Sequence, residues 1–591
     1  MPGQKQPALA AKISKAAALF LLILFALCLF HQSIEAGDIW WHLAFGKHIF
    51  ENGRVAAIDP FPFAGETTPW ILPQWLGSLV FYLAFLLGGL AGLIIFRDLV
   101  FIASVLMFLS YAKNRIPFSL SVVLAILLIF GLETRCYLRP DIFNFIFVPC
   151  LLALLSDFEK KRDSKKLLAA PLMILVWNNL HLGGLVYGFS LISLFFIFNM
   201  IRDYRTGLRP NKTLIIIYLA CALALLISPY GWAKVHYYLD FFFKTSDMNF
   251  SILNKTISEL APPDYLFSVK GIWFVVLFCL SVFSIALNRK FFTFSSIAFL
   301  WALILFMSNE RAGAFFAIVA VYLIAENCGD NAHRKIREFL NRISGKCELL
   351  ILSMTAIFLI LAITRAVHVV NIHDGLVKKE LTTIIHPTHP QKALHFLEKN
   401  RIEGKVFNTL HYGGYLLWNA YPRLTPFADG RQTNIGHYNE LMRILSRPEV
   451  FWPEYEKKYG FTIALIASSR GYEKFIQFLS KQDSWNLVLA DGNSLLFLKN
   501  SPYPPLKLSA SEIPEPALRK ASEQLQRRAK TSWLKNILYP DVLFFDLIEE
   551  AWIYWLLGDK ALSLNAVLEA VSFYPSPKST NALIFLLKNN N

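Results

Sequence analysis

Long apolar runs separated by short polar turns dominate the chain up to about residue 366; residues 17–34, 76–96 and 350–364 are examples. Bilayer hydrocarbon is about 30 Å thick, so a helix needs about 20 apolar residues to cross it. Backbone amides in lipid must pair within their own segment, so the runs predict spanning helices. Strand-type alternation is absent from them, which argues against a β-barrel.

Orientation follows from the turns. Basic residues crowd residues 159–166, 202–212, 289–290 and 334–346, and two apolar runs separate each turn from the next. All four then share the cytoplasmic side, as positive charge near span ends requires. Residues 178–184, 229–270 and 308–311 become external, and a last run over 349–366 carries the chain out. Residues 1–16 are polar and carry Lys5, Lys12 and Lys15. The run behind them is longer than the apolar core of a signal peptide. We read an uncleaved first span with a cytoplasmic N-terminus. Between 75 and 138 three runs are visible, about 76–96, 98–112 and 117–133, where an even number of crossings is required. One run must be split or must fail to cross, and the total is 11 or 13.

Past residue 388 the pattern changes. Residues 390–399 read as a helix, 404–409 as a strand, 413–418 as the start of a second helix and 423–427 as a strand. Residues 461–468 (FTIALIAS) form a buried-type strand, and 485–490 with 494–498 a hairpin around Asp491-Gly492. This alternation predicts a small α/β domain. From about 510 the pattern is helical, and 561–588 resembles one degenerate tetratricopeptide-like helix pair, too few for a solenoid. It reads as a cap or a tail that docks a protein partner.

The fold class is thus mainly α. A polytopic transmembrane helical bundle occupies 17–366, with its first external loop at 35–75. A linker follows at 367–387, an external α/β domain at 388–505 and a helical tail at 506–591.

Composition agrees. Of 591 residues, 55% are hydrophobic and 17% charged, against about 25% charged in soluble domains. The net charge of +16 sits in short turns between apolar runs. That placement fits membrane orientation and argues against a nucleic-acid partner. None of the seven cysteines has CxxC spacing and none follows Cys347, which argues against disulfides and zinc.

The first external loop holds the candidate chemistry. It is too polar to span, yet it carries Trp40, Trp41 and Trp70 and ends at Trp75, and tryptophan favours the membrane interface. Residues 38–50 have helical spacing and suit an amphipathic interfacial helix. Asp38 stands where the first span ends. A carboxylate there can serve as a base toward a substrate at the interface; the plainer reading is a helix N-cap.

The string Gly37-Asp38-Ile39-Trp40-Trp41-His42-Leu43, followed by Gly46, Gly53, Asp59-Pro60-Phe61 and Pro69-Trp70, resembles bacterial relatives of the GT-C superfamily of membrane glycosyltransferases. That superfamily includes protein O-mannosyltransferases, the aminoarabinose transferase of lipid A and the oligosaccharyltransferase catalytic subunit. Leu138-Arg139-Pro140-Asp141, Trp177-Asn178-Asn179-Leu180-His181-Leu182-Gly183-Gly184, Ser228-Pro229-Tyr230-Gly231-Trp232 and Asn309-Glu310-Arg311 fit the same group. So do Gly413-Gly414-Tyr415-Leu416 and Asp429-Gly430-Arg431. The likeness runs from about 17 to 500.

The resemblance implies an enzyme of the bacterial inner membrane that takes a sugar from a polyprenyl-phosphate donor at the external face. Asp38 matches the essential acidic residue of the first loop. Arg139, His181 and Arg311 are candidates to hold the lipid phosphate, with Asp59 and His42 as further substrate-binding candidates. Arginine suits phosphate through paired charge-assisted hydrogen bonds. Each has a plainer reading: headgroup anchoring for Arg139, an interfacial histidine for His181, a loop ion pair for Arg311 with Glu310, and a turn pair for Asp429 with Arg431. A divalent cation, Mg or Mn, is a candidate cofactor near Asp38. One departure bears on it. Relatives of this group often carry His-Glu before the second span, whereas this chain has Pro73-Gln74. Asp59 or Glu66 would then have to supply the second acid. Rival readings are a transporter or flippase and a non-catalytic assembly protein; no internal repeat of the kind transporters show is evident.

Overall fold

The computed structural model describes residues 5–63, 69–162, 165–243, 261–264, 266, 271–288, 291–329, 385, 388–431, 435–467, 471–490 and 494–506, with scattered positions in 353–360 and 551–568. The expected last run over 349–366, the linker, the hairpin turn at Asp491-Gly492, Glu66 and the helical tail fall largely or wholly outside them. The chain forms two compact units. One comprises residues 1–32, 49–55 and 71–363, the other residues 33–48, 56–70 and 364–591.

The first unit is helical. Five of its described helices are long and apolar enough to cross a membrane: Ile13–Phe30, Trp75–Ala112, Pro140–Lys161, Gly184–Arg205 and Glu310–Cys328. Five shorter apolar helices join them: Phe118–Glu133, Lys166–Leu180, Lys212–Leu226, Ile272–Leu287 and Phe294–Ser308. The three runs between 75 and 138 resolve here. Trp75–Ala112 is broken at Gly88 and Gly89, and Gly89 has φ 59° and ψ −147°, a conformation open to glycine and costly for other residues. Phe81 and Phe96 would stand about 22 Å apart along a straight helix. Their ring centroids are 6.2 Å apart, and both rings pack on Phe143. The run over 76–96 is therefore a hairpin of two short arms.

Arg97 ends that hairpin level with the end of the first helix. Its Nη2 donates to the Phe30 and Gln32 carbonyls at 2.8 and 2.7 Å, groups that a helix end leaves without partners. Asp98 accepts from Arg97 Nε at 3.2 Å and pairs with His31 at 2.7 Å. Residues 97–112 then run to the opposite end, where the Tyr111 hydroxyl donates to Ser156. Basic side chains gather at that end. Lys15 lies over Phe118, Arg162 pairs with Asp203 and Arg202 with Glu159, and Arg205 lies over Phe292.

The second unit holds a five-stranded mixed sheet in the order β2-β1-β3-β5-β4. The strands are β1 (Gly404–Asn408), β2 (Leu424–Pro426), β3 (Ile463–Ala467), β4 (Trp485–Ala490) and β5 (Ser494–Lys499). β1 runs parallel to β2 and β3, and β5 runs antiparallel to β3 and β4. All five strands read from the sequence are present. The second helix begins earlier than its glycines suggest, at Leu410, because the Thr409 backbone is extended and its hydroxyl accepts from Ala467 N on β3. Helices Ile435–Ser446, Pro448–Tyr459 and Glu473–Leu479 add to the expected pattern. Phe407, Phe427, Trp452, Phe461, Phe475 and Phe497 fill the core, and Phe63 of the first loop packs among them.

Candidate functional site

In the second unit three separated strings converge on Asp38. Asp38 opens the helix Asp38–Asn52, where a carboxylate gains from the positive end of the helix dipole. Its Oδ1 accepts from Trp41 Nε1 at 3.3 Å, one turn on. Gly430 lies against the same carboxylate: a Cβ there would stand 2.7 Å from Asp38 Oδ1 and 3.4 Å from Trp41 Nε1. A Cβ on Gly414 would meet the Gly37 carbonyl at 2.8 Å and Trp41 Cδ1 at 3.3 Å. One on Gly37 would meet the His411 carbonyl at 2.9 Å, and Gly413 presses on Ala428 and Asp429. These glycines serve close backbone approach. His42 is 1% exposed and stacks on Trp41 with centroids 3.6 Å apart.

Asp59 lies deeper in this unit. Its carboxylate receives Arg431 Nη1 and the Phe61 N–H. Asp429 Oδ1 and Oδ2 accept from Arg431 Nε and Nη2, each at 2.8 Å. The expected Asp429–Arg431 pair is thus present, with Asp59 as a third member. Phe45, Phe61 and Trp70 surround the guanidinium at 6.0, 5.5 and 6.0 Å. Burial pulls the Arg431 pKa down, but its two carboxylates more than offset that and hold it above the usual value. Asp59 therefore works as one jaw of a structural clasp.

In the first unit a second cluster forms around His181, which follows the helix Ala170–Leu180. Its Nδ1 accepts from Gly183 N at 2.9 Å, which places the proton of the neutral ring on Nε2. Burial pushes the His181 pKa down; Asp141 opposes this, and Arg311 and Arg135 add to it. Arg135 Nη2 donates to Asp141 Oδ2 at 2.6 Å. Arg135 and Arg139 both lie 5.8 Å from the Tyr137 ring, and the Arg311 N–H donates to Asn309 Oδ1 at 2.9 Å. Arg135 is the member that sequence reading passed over. It closes an apolar run two residues before Tyr137, and that position at a span end was the available signal. Beside the cluster Lys234, 1% exposed, donates to the Asn178 carbonyl at 2.8 Å and lies 3.4 Å from Asn179 Oδ1. Burial lowers its pKa to about 7.

No group of three or more His, Cys, Asp or Glu side chains among the described residues could hold a metal ion. Asp59 is held by Arg431, and Glu66 lies outside the described residues. The donors near Asp38 do not fit the expected divalent cation, and no step below runs through one.

In backbone course the chain matches solved GT-C membrane glycosyltransferases. ArnT from Cupriavidus metallidurans, bound to undecaprenyl phosphate, matches with TM-score 0.49 and 11% identity, over 83% of this chain and 99% of that one. The archaeal oligosaccharyltransferase AglB from Archaeoglobus fulgidus, in complex with an inhibitory peptide and a dolichol-phosphate, matches with TM-score 0.47 and 12% identity, over 92% and 86%. The Archaeoglobus fulgidus oligosaccharyltransferase in complex with Zn and sulfate matches at 0.47 and 12%, over 96% and 85%. No protein-family model matches the chain, and no curated protein sequence matches it. Function therefore has to be read from this chain's own residues.

Proposed function

We propose that the chain is a membrane glycosyltransferase that moves a sugar from a polyprenyl-phosphate donor to an acceptor hydroxyl at the external membrane face. The observation that carries this reading is the fixed Asp38 carboxylate. Gly430 lies against it with no space for a Cβ, and Gly414 lies as tightly against Gly37 and Trp41 beside it, the kind of support that holds a reacting group in one geometry.

Asp38 takes the proton of the acceptor hydroxyl as that oxygen attacks the anomeric carbon. One in-line displacement inverts that carbon. The polyprenyl phosphate departs as an anion, and Arg135, Arg139 and Arg311 are the groups suited to its charge. Neutral His181 offers an Nε2–H as a further donor. The five longer and five shorter apolar helices, with the run expected over 349–366, make 11 crossings. The hairpin over 75–96 returns to its own side, which supplies the even count that the turns require. The basic end is cytoplasmic by the charge rule, and the end bearing Phe30 and Arg97 is external.

The test is sugar transfer from a panel of undecaprenyl-phosphate sugars, with Asp38→Asn beside the wild type. Loss of a general base lowers turnover by about 10²–10⁴, with binding of undecaprenyl phosphate retained. Unchanged transfer removes Asp38 from the mechanism. Transport of the donor without transfer favours the flippase reading instead.

A further inference from the structure

The basic end of the first unit encloses a polar cavity that the transfer reaction does not use. It is lined by Tyr111, Ser156, Glu159, Ser295, Tyr322 and Glu326 among apolar side chains, with a volume of about 20 Å³. That is enough for one water or one bare ion. Its polar atoms are all oxygens. The Ser295 hydroxyl donates to Glu326 Oε2, and the Tyr111 hydroxyl donates to Ser156 Oγ at 3.1 Å.

Two atoms are left over. The Tyr322 hydroxyl, on a side chain 4% exposed, makes no hydrogen bond among the described residues. Glu159 Oε1 is also buried without one, with Arg202 Nη1 3.6 Å away. Leaving a buried hydroxyl without a partner is unfavourable, so a cavity that keeps one beside two carboxylates is suited to a ligand. Carboxylate and hydroxyl oxygens, with no nitrogen or sulfur, are the donors that hard cations take. Ionisable side chains enclosed at the end of a spanning bundle are candidates for function by default.

We propose that this cavity binds one small hard cation of the Na⁺, Mg²⁺ or Ca²⁺ class, ligated by Glu159, Glu326 and the Tyr322 hydroxyl, with Ser295 orienting Glu326. The ion ties together two helices, Pro140–Lys161 and Glu310–Cys328, and Ser295 links Phe294–Ser308 to them through Glu326. This site is independent of the sugar-transfer reading and stands or falls without it.

The full-length protein in detergent is heated in NaCl, MgCl₂, CaCl₂ or choline chloride at equal ionic strength and pH, and its apparent unfolding temperature is recorded. One of the three cations raises it by about 2 °C or more over choline, with a saturable dependence. Tyr322→Phe decides the cause. As a structural change alone it removes an unpartnered hydroxyl and leaves or raises stability in every salt. As loss of a ligand it raises the half-saturating ion concentration about tenfold. Glu159→Gln abolishes the ion response. Identical curves in all four salts overturn the proposal, as does an ion response that survives both substitutions unchanged.

Discussion

Arg431→Met tests the clasp that fixes the first loop within the second unit. Arg431, Asp59 and Asp429 have side chains 2%, 4% and 9% exposed. Removing the cation leaves two carboxylates buried without it, and breaking a buried pair in this way costs about 3–5 kcal/mol. The arginine's aromatic surroundings add a smaller loss of packing. The readout is hydrogen exchange at the β1 and β2 amides, because Phe427 N donates to the Val406 carbonyl at 2.9 Å and to Asn408 Oδ1 at 2.8 Å, directly before Ala428 and Asp429. A loss of about 3 kcal/mol speeds exchange through the opened state by on the order of 10². The control is the triple change Arg431→Met, Asp59→Asn, Asp429→Asn, which removes the orphaned charges with the cation. It recovers more than half of the loss, since a neutral replacement of a whole buried network is far cheaper than removal of one member. If Arg431→Met changes protection by less than fivefold, or if the triple variant is no better than the single one, the charges do not hold this region.

Lys234 gives a pH signature. Its folded pKa of about 7 lies below the ordinary lysine value of 10.5, so between those values the unfolded chain holds a proton that the folded chain has released. Stability then rises with pH across that window by about 1.4 kcal/mol per unit, and it is lost as pH falls toward 7. Unfolding temperatures taken from pH 7 to 9.5 should rise in the wild type and lose that slope in Lys234→Met. Gly430→Ala places a methyl 2.7 Å from Asp38 Oδ1. A displacement of that size costs about 10² in turnover while the unfolding temperature moves little, and full activity would deny Asp38 its orientation there. Arg97→Met strips a side chain 1% exposed from the Phe30 and Gln32 carbonyls and from Asp98. The expected loss is about 3–5 kcal/mol, read as a fall in unfolding temperature; a fall smaller than 1 °C refutes that role.

What the sequence revealed follows from the range of each signal. Span length and strand alternation are local, so the helical bundle and all five strands could be read. Gly88-Gly89 was also a local signal, since paired glycines break helices. It was masked by arms as apolar as any span, which hide a reversal from composition. Arg97-Asp98 interrupts an apolar run, but its partners lie 65 to 67 residues back at the end of the first helix, and periodicity does not report such contacts. Arg135 was missed because no motif contains it. The glycines of the motifs in the second unit lie at close backbone approaches, because glycine marks such contacts wherever its neighbour comes from.

Asp59 shows how far the motif reading reaches. The missing acid at Pro73-Gln74 made Asp59 a natural substitute, and proximity to Asp38 along the chain favoured it. Its partner lies 372 residues away, and a buried arginine that already holds Asp429 draws that carboxylate into the clasp. A carboxylate bound this way has little freedom to ligate an ion, because that would leave Arg431 under-compensated in a buried site. Asp38 differs on each point. It is only half-buried, and it accepts from Trp41 Nε1. That indole N–H, one turn along the same helix, helps to orient the carboxylate. Of the two acidic residues that the sequence offered in the first loop and the structure describes, Asp59 is thus committed to the clasp, and Asp38 is the one that the proposed transfer uses as its base.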